Sequence, residues 1–261
     1  MRNAIIPDRW EKLLEMVERQ GSAKVEDLAQ ALGISPTTVR RDLAAIQKRG
    51  LINRTRGGAA PSPHVRAGPT IAESRSINPA EKERIGKAAA ALIGDGATLM
   101  FDGGFTTYQV ARQIQARDLT VITNSLDIVQ ALLGSEGVTL VVIGGELSVV
   151  TGTNLGPLAE GQIQQLWANT AILGADAISP AEGLSSPIHT TAQTKKAMIA
   201  ASKGLIVVAD HTKLGKFAPY RVTGCDAVDI LITDDKADPA LLDEFRAVGI
   251  RVIVAEGRCE Q

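Results

Sequence analysis

The chain has 261 residues, of which 44% are hydrophobic and 22% are charged, and its formal net charge is -1. This composition is typical of a globular protein and excludes a largely disordered or fibrous chain. No apolar run approaches the roughly 20 residues that cross a bilayer, and the N-terminus lacks the apolar core of a signal peptide. We therefore expect a cytoplasmic protein with no membrane partner.

Three helical patterns open the chain, over residues 9–21, 25–32 and 37–49. The second ends at Gly33, and Ser35-Pro36 is a helix N-cap followed by proline at the first helical position. Each pattern carries an apolar stripe that we expect to face inward: Trp10, Leu13, Leu14 and Val17, then Val25, Leu28, Ala29 and Leu32, then Val39, Leu43 and Ile46.

Residues 51–60 follow the third pattern and are typical of two short strands around a Gly57-Gly58 turn. Three helices with a short turn between the last two form a helix-turn-helix, whose final helix enters the DNA major groove. The hairpin would be its wing. Residues 1–60 also hold 11 Lys and Arg against 7 Asp and Glu, while residues 61–261 hold 17 against 22, so the front of the chain is the basic part.

We predict that this domain binds double-stranded operator DNA. Ser35, Thr37 and Thr38 suit phosphate contacts, and Arg40 is the preferred reader of base edges. The full set of predicted DNA contacts is Ser35, Thr37, Thr38, Arg40, Arg41, Lys48, Arg54 and Arg56. Arg41 has an alternative, an internal ion pair with Asp42 or another acid. The whole basic face also has an alternative interpretation: it could be the solvated surface of a protein-interaction domain.

The sequence divides into a DNA-binding domain (1–60), a linker (61–79) and a sensor and oligomerisation domain (80–261). Four prolines fall within residues 61–80, where no periodicity is sustained. A helix is predicted at about 80–93. Apolar strands then alternate with helical patterns, at 97–101, 119–123, 138–143, 170–173, 205–209, 228–233 and 250–254. This alternation predicts a doubly wound, mainly parallel α/β domain.

Sheets of this kind bind ligands at the carboxyl ends of their strands. The loop between residues 102 and 107 lies between a strand and a helix, and it combines glycines, hydroxyls and a carboxylate in a way that can hold a phosphate, although such a loop is often only a tight turn. Similar loops follow other strands. The predicted effector contacts from these loops are Asp102, Gly103, Gly104, Phe105, Thr106, Thr107, Thr123, Asn124, Gly145, Glu146, Gly174 and Asp176.

The segment from Ser35 to Leu43, with Gly50 and the Arg56-Gly57-Gly58-Ala59 run, resembles the N-terminal signature of the DeoR family of bacterial regulators. The resemblance continues through Arg75, Glu81-Lys82 and Ile85 into most of the C-terminal region. It implies a sensor domain with the ribose-5-phosphate isomerase fold, a phosphorylated sugar or related effector, and repression. It also implies that Lys195, Asp210 and Lys213 belong to the effector site, with the two lysines as anion contacts.

Two positions depart from the family pattern. Phe105 stands where a threonine of the phosphate loop is usual, and the segment around Thr191 lacks the usual glutamates. A site with fewer carboxylates accepts a ligand with an extra negative group more readily. The phenyl ring of Phe105 would give the site an apolar wall or a surface for stacking. We therefore hypothesise an anionic, sugar-type effector other than the commonest sugar monophosphates.

Two other functions remain open at this point. One is a sugar-phosphate isomerase with a DNA-binding head, since Asp102, Glu146, Asp176 and Asp210 are possible general bases. The other is a constitutive DNA-binding architectural protein. We favour a carbohydrate-operon repressor, not an enzyme, that forms a dimer or tetramer with itself. Cys225 and Cys259 lie far apart with no histidine at ligand spacing, so we expect no metal, disulfide or cofactor.

Overall fold

The structure is a computed structural model, and it describes residues 9–10, 12–13, 16–17, 22–48, 52–55, 57–61 and 71–257. The chain forms two compact units, Met1–Gly68 and Pro69–Gln261. The boundary between them falls inside the range predicted as a linker. Each unit is described by itself.

The first unit is a winged helix-turn-helix, as predicted. Its helices are α1 (Val25–Leu32) and α2 (Pro36–Lys48), and the described residues between 9 and 17 are also helical. Its strands are β1 (Ala23–Lys24), β2 (Ile52–Thr55) and β3 (Gly58–Pro61), which pair in the order β1-β3-β2. β1 was not predicted, because a strand of two residues is too short to show alternation. The predicted inward residues form one buried core, against which Trp10 and Leu32 pack partly buried, and Leu14 lies outside the described residues.

Along the chain, the helices of the second unit alternate with the strands of its sheet. They are α3 (Ile71–Ser76), α4 (Pro79–Ala90), α5 (Phe105–Ala111), α6 (Leu126–Leu132), α7 (Pro157–Ile163), α8 (His189–Ala200) and α9 (Pro239–Ala247). Helix α3 occupies part of the predicted linker. The prolines that suggested irregular chain flank this helix at residues 69 and 79 and do not interrupt it.

Seven strands form the main sheet of the second unit, close to the predicted ranges. They are β4 (Thr98–Phe101), β5 (Leu119–Thr123), β6 (Val138–Val142), β9 (Ala168–Gly174), β12 (Ser202–Val208), β14 (Ile230–Asp234) and β15 (Arg251–Ala255). Their spatial order is β15-β14-β12-β9-β4-β5-β6, and every neighbouring pair is parallel.

Helices cover both faces of this sheet. Side chains of α4, α5 and α6, including Ile85, Val110 and Ile128, belong to one buried cluster. Side chains of α7, α8 and α9, including Met198 and Phe245, belong to another. The predicted doubly wound α/β architecture is therefore confirmed.

Five short strands were not predicted. β7 (Glu146–Ser148) pairs with β8 (Thr153–Leu155), and a separate sheet has the order β10 (Ala177–Ser179), β11 (Gly183–Ser186), β13 (Tyr220–Thr223). β10 and β11 are buried along their whole length and rich in serine and small residues. They show neither alternation nor a run of large apolar side chains, so sequence periodicity does not reveal them.

Candidate functional site

Helix α2 starts where the sequence predicted. The hydroxyl oxygen of Ser35 accepts a 3.1 Å hydrogen bond from the backbone N–H of Thr38 and lies 2.8 Å from the Thr38 hydroxyl. This arrangement is an N-cap, which pairs one of the backbone N–H groups that a helix leaves unpaired at its start. In the free protein, two of the side chains expected to contact phosphate therefore hold the first turn of α2 in place.

The outward face of α2 is available for contact with DNA. Val39, Leu43 and Ile46 are fully buried, which leaves Thr37, Arg40 and Arg41 exposed. Arg40 lies 3.3 Å from Glu26 of α1, in an ion pair whose side chains are both more than half exposed. Such a pair contributes little and does not hold Arg40 back from a stronger acceptor.

The wing arginine Arg54 lies beside α2. Its Nη1 donates a 3.3 Å hydrogen bond to the main-chain carbonyl of Arg40, and its side chain is exposed. This contact ties the hairpin to the recognition helix. The side chain of Lys48 and the whole of Arg56 lie outside the described residues.

Arg41 does not pair with Asp42, which was the alternative left open by the sequence. Arg9 makes that pair, with its Nε 2.7 Å and its Nη2 2.9 Å from the two carboxylate oxygens of Asp42. Asp42 lies on the buried side of α2 and faces the first helical segment, whereas Arg41 points to solvent. The charge of Arg41 remains available for DNA.

In the second unit, the strand order reverses between β4 and β9. The chain proceeds from β4 outward to β5 and β6, then returns to the other side of β4 with β9, β12, β14 and β15. At such a reversal the connections at the carboxyl ends of the two strands run in opposite directions and leave a crevice. Asp102 directly follows β4, and Gly174 is the last residue of β9.

A buried ion pair occupies this reversal point. Nζ of Lys195, on α8, lies 3.0 Å from Oδ2 of Asp102 and donates a 2.6 Å hydrogen bond to the carbonyl of Gly174. The backbone N–H of Gly174 donates to Oδ1 of Asp102 at 3.0 Å. Asp176 lies close enough to influence both charges, and it accepts a 2.7 Å hydrogen bond from the hydroxyl of Ser186. The structure thus brings four predicted site residues together.

Burial and charge act in opposite directions on these groups. Burial raises the pKa of Asp102, and the ammonium of Lys195 offsets only part of that effect. Burial lowers the pKa of Lys195, but the carboxylates of Asp102 and Asp176 raise it by more, so the net shift is upward. Lys195 therefore stays protonated, and its charge is already balanced by Asp102.

A second cluster follows β12. The carboxylate of Asp210 accepts a 3.0 Å hydrogen bond from the backbone N–H of Thr212, a bond from the Thr212 hydroxyl and a 3.1 Å bond from Nδ2 of Asn78. Lys82 of α4 places its Nζ 3.8 Å from the other Asp210 oxygen. Lys213 is near enough for its charge to act on Lys82.

Beside this cluster, His211 contacts Asp234, the last residue of β14. Its Nδ1 lies 2.9 Å from Oδ1 of Asp234, and its backbone N–H donates to Oδ2 at 2.8 Å. These contacts make His211 a hydrogen-bonded loop residue.

Two hydroxyls expected to face the ligand are internal. Thr107 is fully buried, and its hydroxyl is within bonding distance of the carbonyls of Asp102 at 3.1 Å and Gly104 at 2.9 Å. The hydroxyl of Thr123 donates to the carbonyl of Phe101 at 3.0 Å. Both side chains complete the hydrogen bonding of a tight strand end, so we no longer expect them to contact an effector directly.

Gly103 has a packing role at the same strand end. A Cβ at this position would lie 2.1 Å from Cγ2 of Thr153, so the neighbouring loop can approach only a glycine. Gly104 caps α5 with a φ of 147°, and Thr106 is half-buried on its first turn. The ring of Phe105 stacks on Tyr108 with centroids 5.5 Å apart, which leaves one face directed away from that partner.

Asn124 and the pair Gly145-Glu146 differ in what they offer a ligand. Nδ2 of Asn124 donates to the carbonyl of Asn154 at 2.8 Å, while its buried Oδ1 has no hydrogen-bond partner among the described residues. Glu146 is exposed on the β7–β8 hairpin, and no described contact links it to Asp102, Asp210 or Lys195. Gly145 and Glu146 follow β6, the edge strand of the sheet, which β5 separates from β4.

The sequence did not single out Lys82 or Asn78 as site residues. Lys82 interrupts the buried stripe of α4 that continues with Ile85, Gly86 and Ala89. A charged residue on a buried stripe needs a partner, because an isolated buried charge is strongly unfavourable. That position was a usable signal for Lys82. Asn78 gives no comparable signal, because its role depends on a left-handed turn with a φ of 50°.

The two units define the class of the protein: a helix-turn-helix DNA-binding protein with an attached α/β domain of the ligand-sensing type. A family model described as the DeoR-like helix-turn-helix domain matches residues 9–62, and one described as the DeoR C-terminal sensor domain matches residues 77–235. The chain belongs to the DeoR family of transcriptional regulators.

Several curated relatives are similar over nearly their whole length. The chain is 36% identical to the transcriptional repressor AccR of Agrobacterium fabrum, over 87% of this chain and 89% of that one. It is 30% identical to the repressor GlcR of Bacillus subtilis, over 95% and 96%. It is 30% identical to the regulator UlaR of Shigella sonnei, over 94% and 97%. These relatives are named as transcriptional repressors or regulators.

Solved structures resemble the chain more weakly. Ribose 5-phosphate isomerase A from Methanocaldococcus jannaschii matches with a TM-score of 0.39 and 18% identity, over 52% of this chain and 55% of that one. The eIF2B delta protein from Chaetomium thermophilum matches with a TM-score of 0.40 and 20% identity, over 56% and 55%. Within the described residues, no helix is long and apolar enough to cross a membrane.

Proposed function

We propose that the chain represses genes for carbohydrate use and that a small anionic, sugar-type metabolite in the crevice controls its affinity for operator DNA. The observation that carries this proposal is the pair of buried charge clusters at the carboxyl ends of the sheet strands, around Asp102 after β4 and around Asp210 after β12, in a chain whose other unit is a helix-turn-helix. A stable protein does not need two such clusters in its core, because buried charges are costly.

The two clusters suit different parts of a ligand. The Asp102, Asp176 and Lys195 group carries one excess negative charge when all three are ionised, and carboxylate oxygens accept hydrogen bonds from sugar hydroxyls. The unpartnered Oδ1 of Asn124 is a further acceptor. Lys82 faces Asp210 and also feels the charge of Lys213, so two cations lie at that end and attract an anionic group. In this proposal, Lys195 holds the carboxylates of the first cluster in position, and Lys213 contacts the anionic group of the ligand.

Thermal-shift screening with phosphorylated and sulfonated sugars tests the effector class. We expect stabilisation of the wild type and its loss in Asp176→Asn, with Asp243→Asn, an exposed acid on α9, as the matched control. A ligand that binds the folded state alone at 100 times its Kd stabilises by about 2.7 kcal/mol, which a melting curve resolves. Absence of stabilisation by every anionic sugar would overturn the effector class. Stabilisation only by an ordinary hexose monophosphate would overturn the idea of an atypical effector.

An isomerase-like activity is the second candidate, because Asp102 is a buried carboxyl whose pKa is raised by burial. Against it, both carboxylate oxygens of Asp102 are already engaged, by Lys195 and by the N–H of Gly174. Incubation with sugar phosphates separates the two functions. Isomerisation faster than about 1 per second, an ordinary enzyme rate, would favour the enzyme.

We further propose that the chain acts as at least a dimer. A single helix-turn-helix reads one half-site, and tight operator binding generally requires two. Size-exclusion chromatography with light scattering measures the assembly directly. A monomer at concentrations that saturate operator DNA would contradict this part of the proposal.

A further inference from the structure

The ammonium group of Lys82 lies between the crevice and the helix that precedes α4 in the chain. Its Nζ donates a 2.7 Å hydrogen bond to the main-chain carbonyl of Ser74, on α3, and lies 3.8 Å from Oδ2 of Asp210. Lys82 is only 3% exposed, so bulk water screens neither interaction strongly. One buried cation therefore connects a residue of the crevice rim to the backbone of α3.

A second side chain makes the same connection. Asn78 forms the turn between α3 and α4 in a left-handed conformation, with a φ of 50°, and its Nδ2 donates a 3.1 Å hydrogen bond to Oδ1 of Asp210. Asparagine is one of the few residues other than glycine that adopt this conformation readily. Asp210 thus anchors both the turn after α3 and, through Lys82, the helix itself.

Helix α3 depends on such anchors. It has six residues, whereas isolated helices shorter than about 12–15 residues are marginal in water. Arg75 of this helix lies 3.0 Å from Asp127 and 5.7 Å from the ring centroid of Tyr108. Arg75 is substantially exposed, so its ion pair contributes little. The bonds of Lys82 and Asn78 are better shielded from water than this ion pair, and they therefore support α3 more strongly than Arg75 does.

The surroundings of Lys82 favour an added anion. Burial lowers the pKa of Lys82, the charge of Lys213 lowers it further, and Asp210 compensates only in part. A negative group nearby would relieve this imbalance. An anion adds a Coulombic attraction to the ammonium that the neutral carbonyl of Ser74 lacks, so an anion competes well with that carbonyl.

We propose that Lys82 is the positioning residue that transmits occupancy of the crevice to α3. An anionic group bound on the Asp210 side takes the ammonium away from the carbonyl of Ser74, and α3 loosens. This inference rests on the proposed function, because the anion is the proposed effector. Helix α3 is the first described element after the DNA-binding unit in the chain, so its order sets how much of the connecting chain is held to the sensor unit.

Hydrogen exchange on the full chain tests the anchor without any ligand. In Lys82→Met we expect amides of residues 71–78 to exchange about tenfold faster, the factor that about 1.4 kcal/mol produces. Asn78→Gly, which tolerates the left-handed turn but lacks the amide, should act in the same direction. Lys82→Arg, which keeps the charge, should retain part of the protection. The matched control is Lys87→Met, exposed on the same helix, and amides of α9 report any global loosening.

The second arm adds ligand, either inorganic phosphate or whichever sugar phosphate stabilises the chain in the thermal-shift screen. We expect the ligand to accelerate exchange at residues 71–78 in the wild type and in Lys87→Met, with no further acceleration in Lys82→Met. Unchanged exchange at 71–78 in ligand-free Lys82→Met and Asn78→Gly would overturn the inference. So would a stabilising ligand that leaves these amides unaffected in the wild type. If no anion binds at all, the proposed effector fails and the release step fails with it, while the ligand-free comparison still decides the anchor.

Discussion

Nζ of Lys195 and Oδ2 of Asp102 lie 3.0 Å apart, and both side chains are almost entirely buried. Removing either partner leaves an uncompensated charge in the core, which generally costs about 3–5 kcal/mol. We expect Lys195→Met and Asp102→Leu each to lower the free energy of unfolding of the larger unit by about that amount. Urea denaturation followed by circular dichroism measures the change.

The double variant distinguishes an ion pair from two independent packing contributions. Lys195→Met combined with Asp102→Leu leaves no isolated charge, so its loss should be well below the sum of the two single losses. Lys196→Met, at the exposed neighbouring position on α8, should change stability by less than about 0.5 kcal/mol. Additive losses in the double variant would contradict the pairing.

Replacement by alanine should change the stability of the protein by very different amounts at Gly103 and at Gly174. The Cβ of Gly103→Ala would lie 2.1 Å from Cγ2 of Thr153, whereas that of Gly174→Ala would lie no closer than 3.8 Å to its neighbours. Overpacking generally costs about 1–3 kcal/mol, so Gly103→Ala should lower the melting temperature by several degrees while Gly174→Ala has little effect.

Thr153→Ser supplies the matching rescue, because it removes the clashing methyl but keeps the hydroxyl that lies 2.7 Å from the Thr151 hydroxyl. Combined with Gly103→Ala, it should recover most of the lost stability. A combined variant no more stable than Gly103→Ala alone would show that the close approach of Thr153 is not the cause.

The charge of Asp210 should make stability depend on pH in the acidic range. Burial raises the pKa of Asp210, but hydrogen bonds from Thr212 and Asn78 and the charge of Lys82 lower it by more, so the net shift is downward. A carboxyl whose pKa is lower in the folded state contributes stability above its unfolded pKa, about 3.9, and loses it as pH falls through the folded pKa.

We therefore expect the wild type to exceed Asp210→Asn in unfolding free energy by a constant margin above pH about 5, and the margin to shrink below pH about 4. Urea titrations at a series of pH values measure this margin. Asp243→Asn, on the exposed surface of α9, serves as the control. A margin that grows as the solution becomes more acidic would contradict the downward shift of the pKa.

Alanine substitutions at Arg40 and Arg54 should impair DNA binding in different ways. On an operator selected from a random pool, Arg40→Ala should cost about 1–3 kcal/mol and cost less on random DNA, because a base contact carries sequence information. Arg54→Ala should weaken binding to both DNAs alike and lower the salt slope by about 0.9, the value for one lost phosphate contact. Fluorescence anisotropy measures both, and equal losses on the two DNAs for Arg40→Ala would refute its role as base reader.

Much of the fold was predictable because its signals are local. The N-cap at Ser35, the apolar stripe of α2 and the apolar runs that became the strands of the main sheet each lie within a few neighbouring residues. Secondary structure of this kind follows from short-range periodicity and backbone preference. The same local patterns predicted that Asp102 and Gly174 would lie at one edge of the sheet, because the carboxyl ends of parallel strands share one edge.

The chemistry within the crevice depends on contacts that local patterns do not contain. Asn78 and Asp210 are 132 residues apart in the chain, and Arg9 takes Asp42 from 33 residues away. The sequence determined that the chain has a winged helix-turn-helix and a parallel α/β unit with acids, lysines and glycines at strand ends. Only the tertiary structure decided that Lys195 is already neutralised, that Thr107 faces inward and that Lys82 joins the crevice to α3, because partner choice follows from packing in three dimensions.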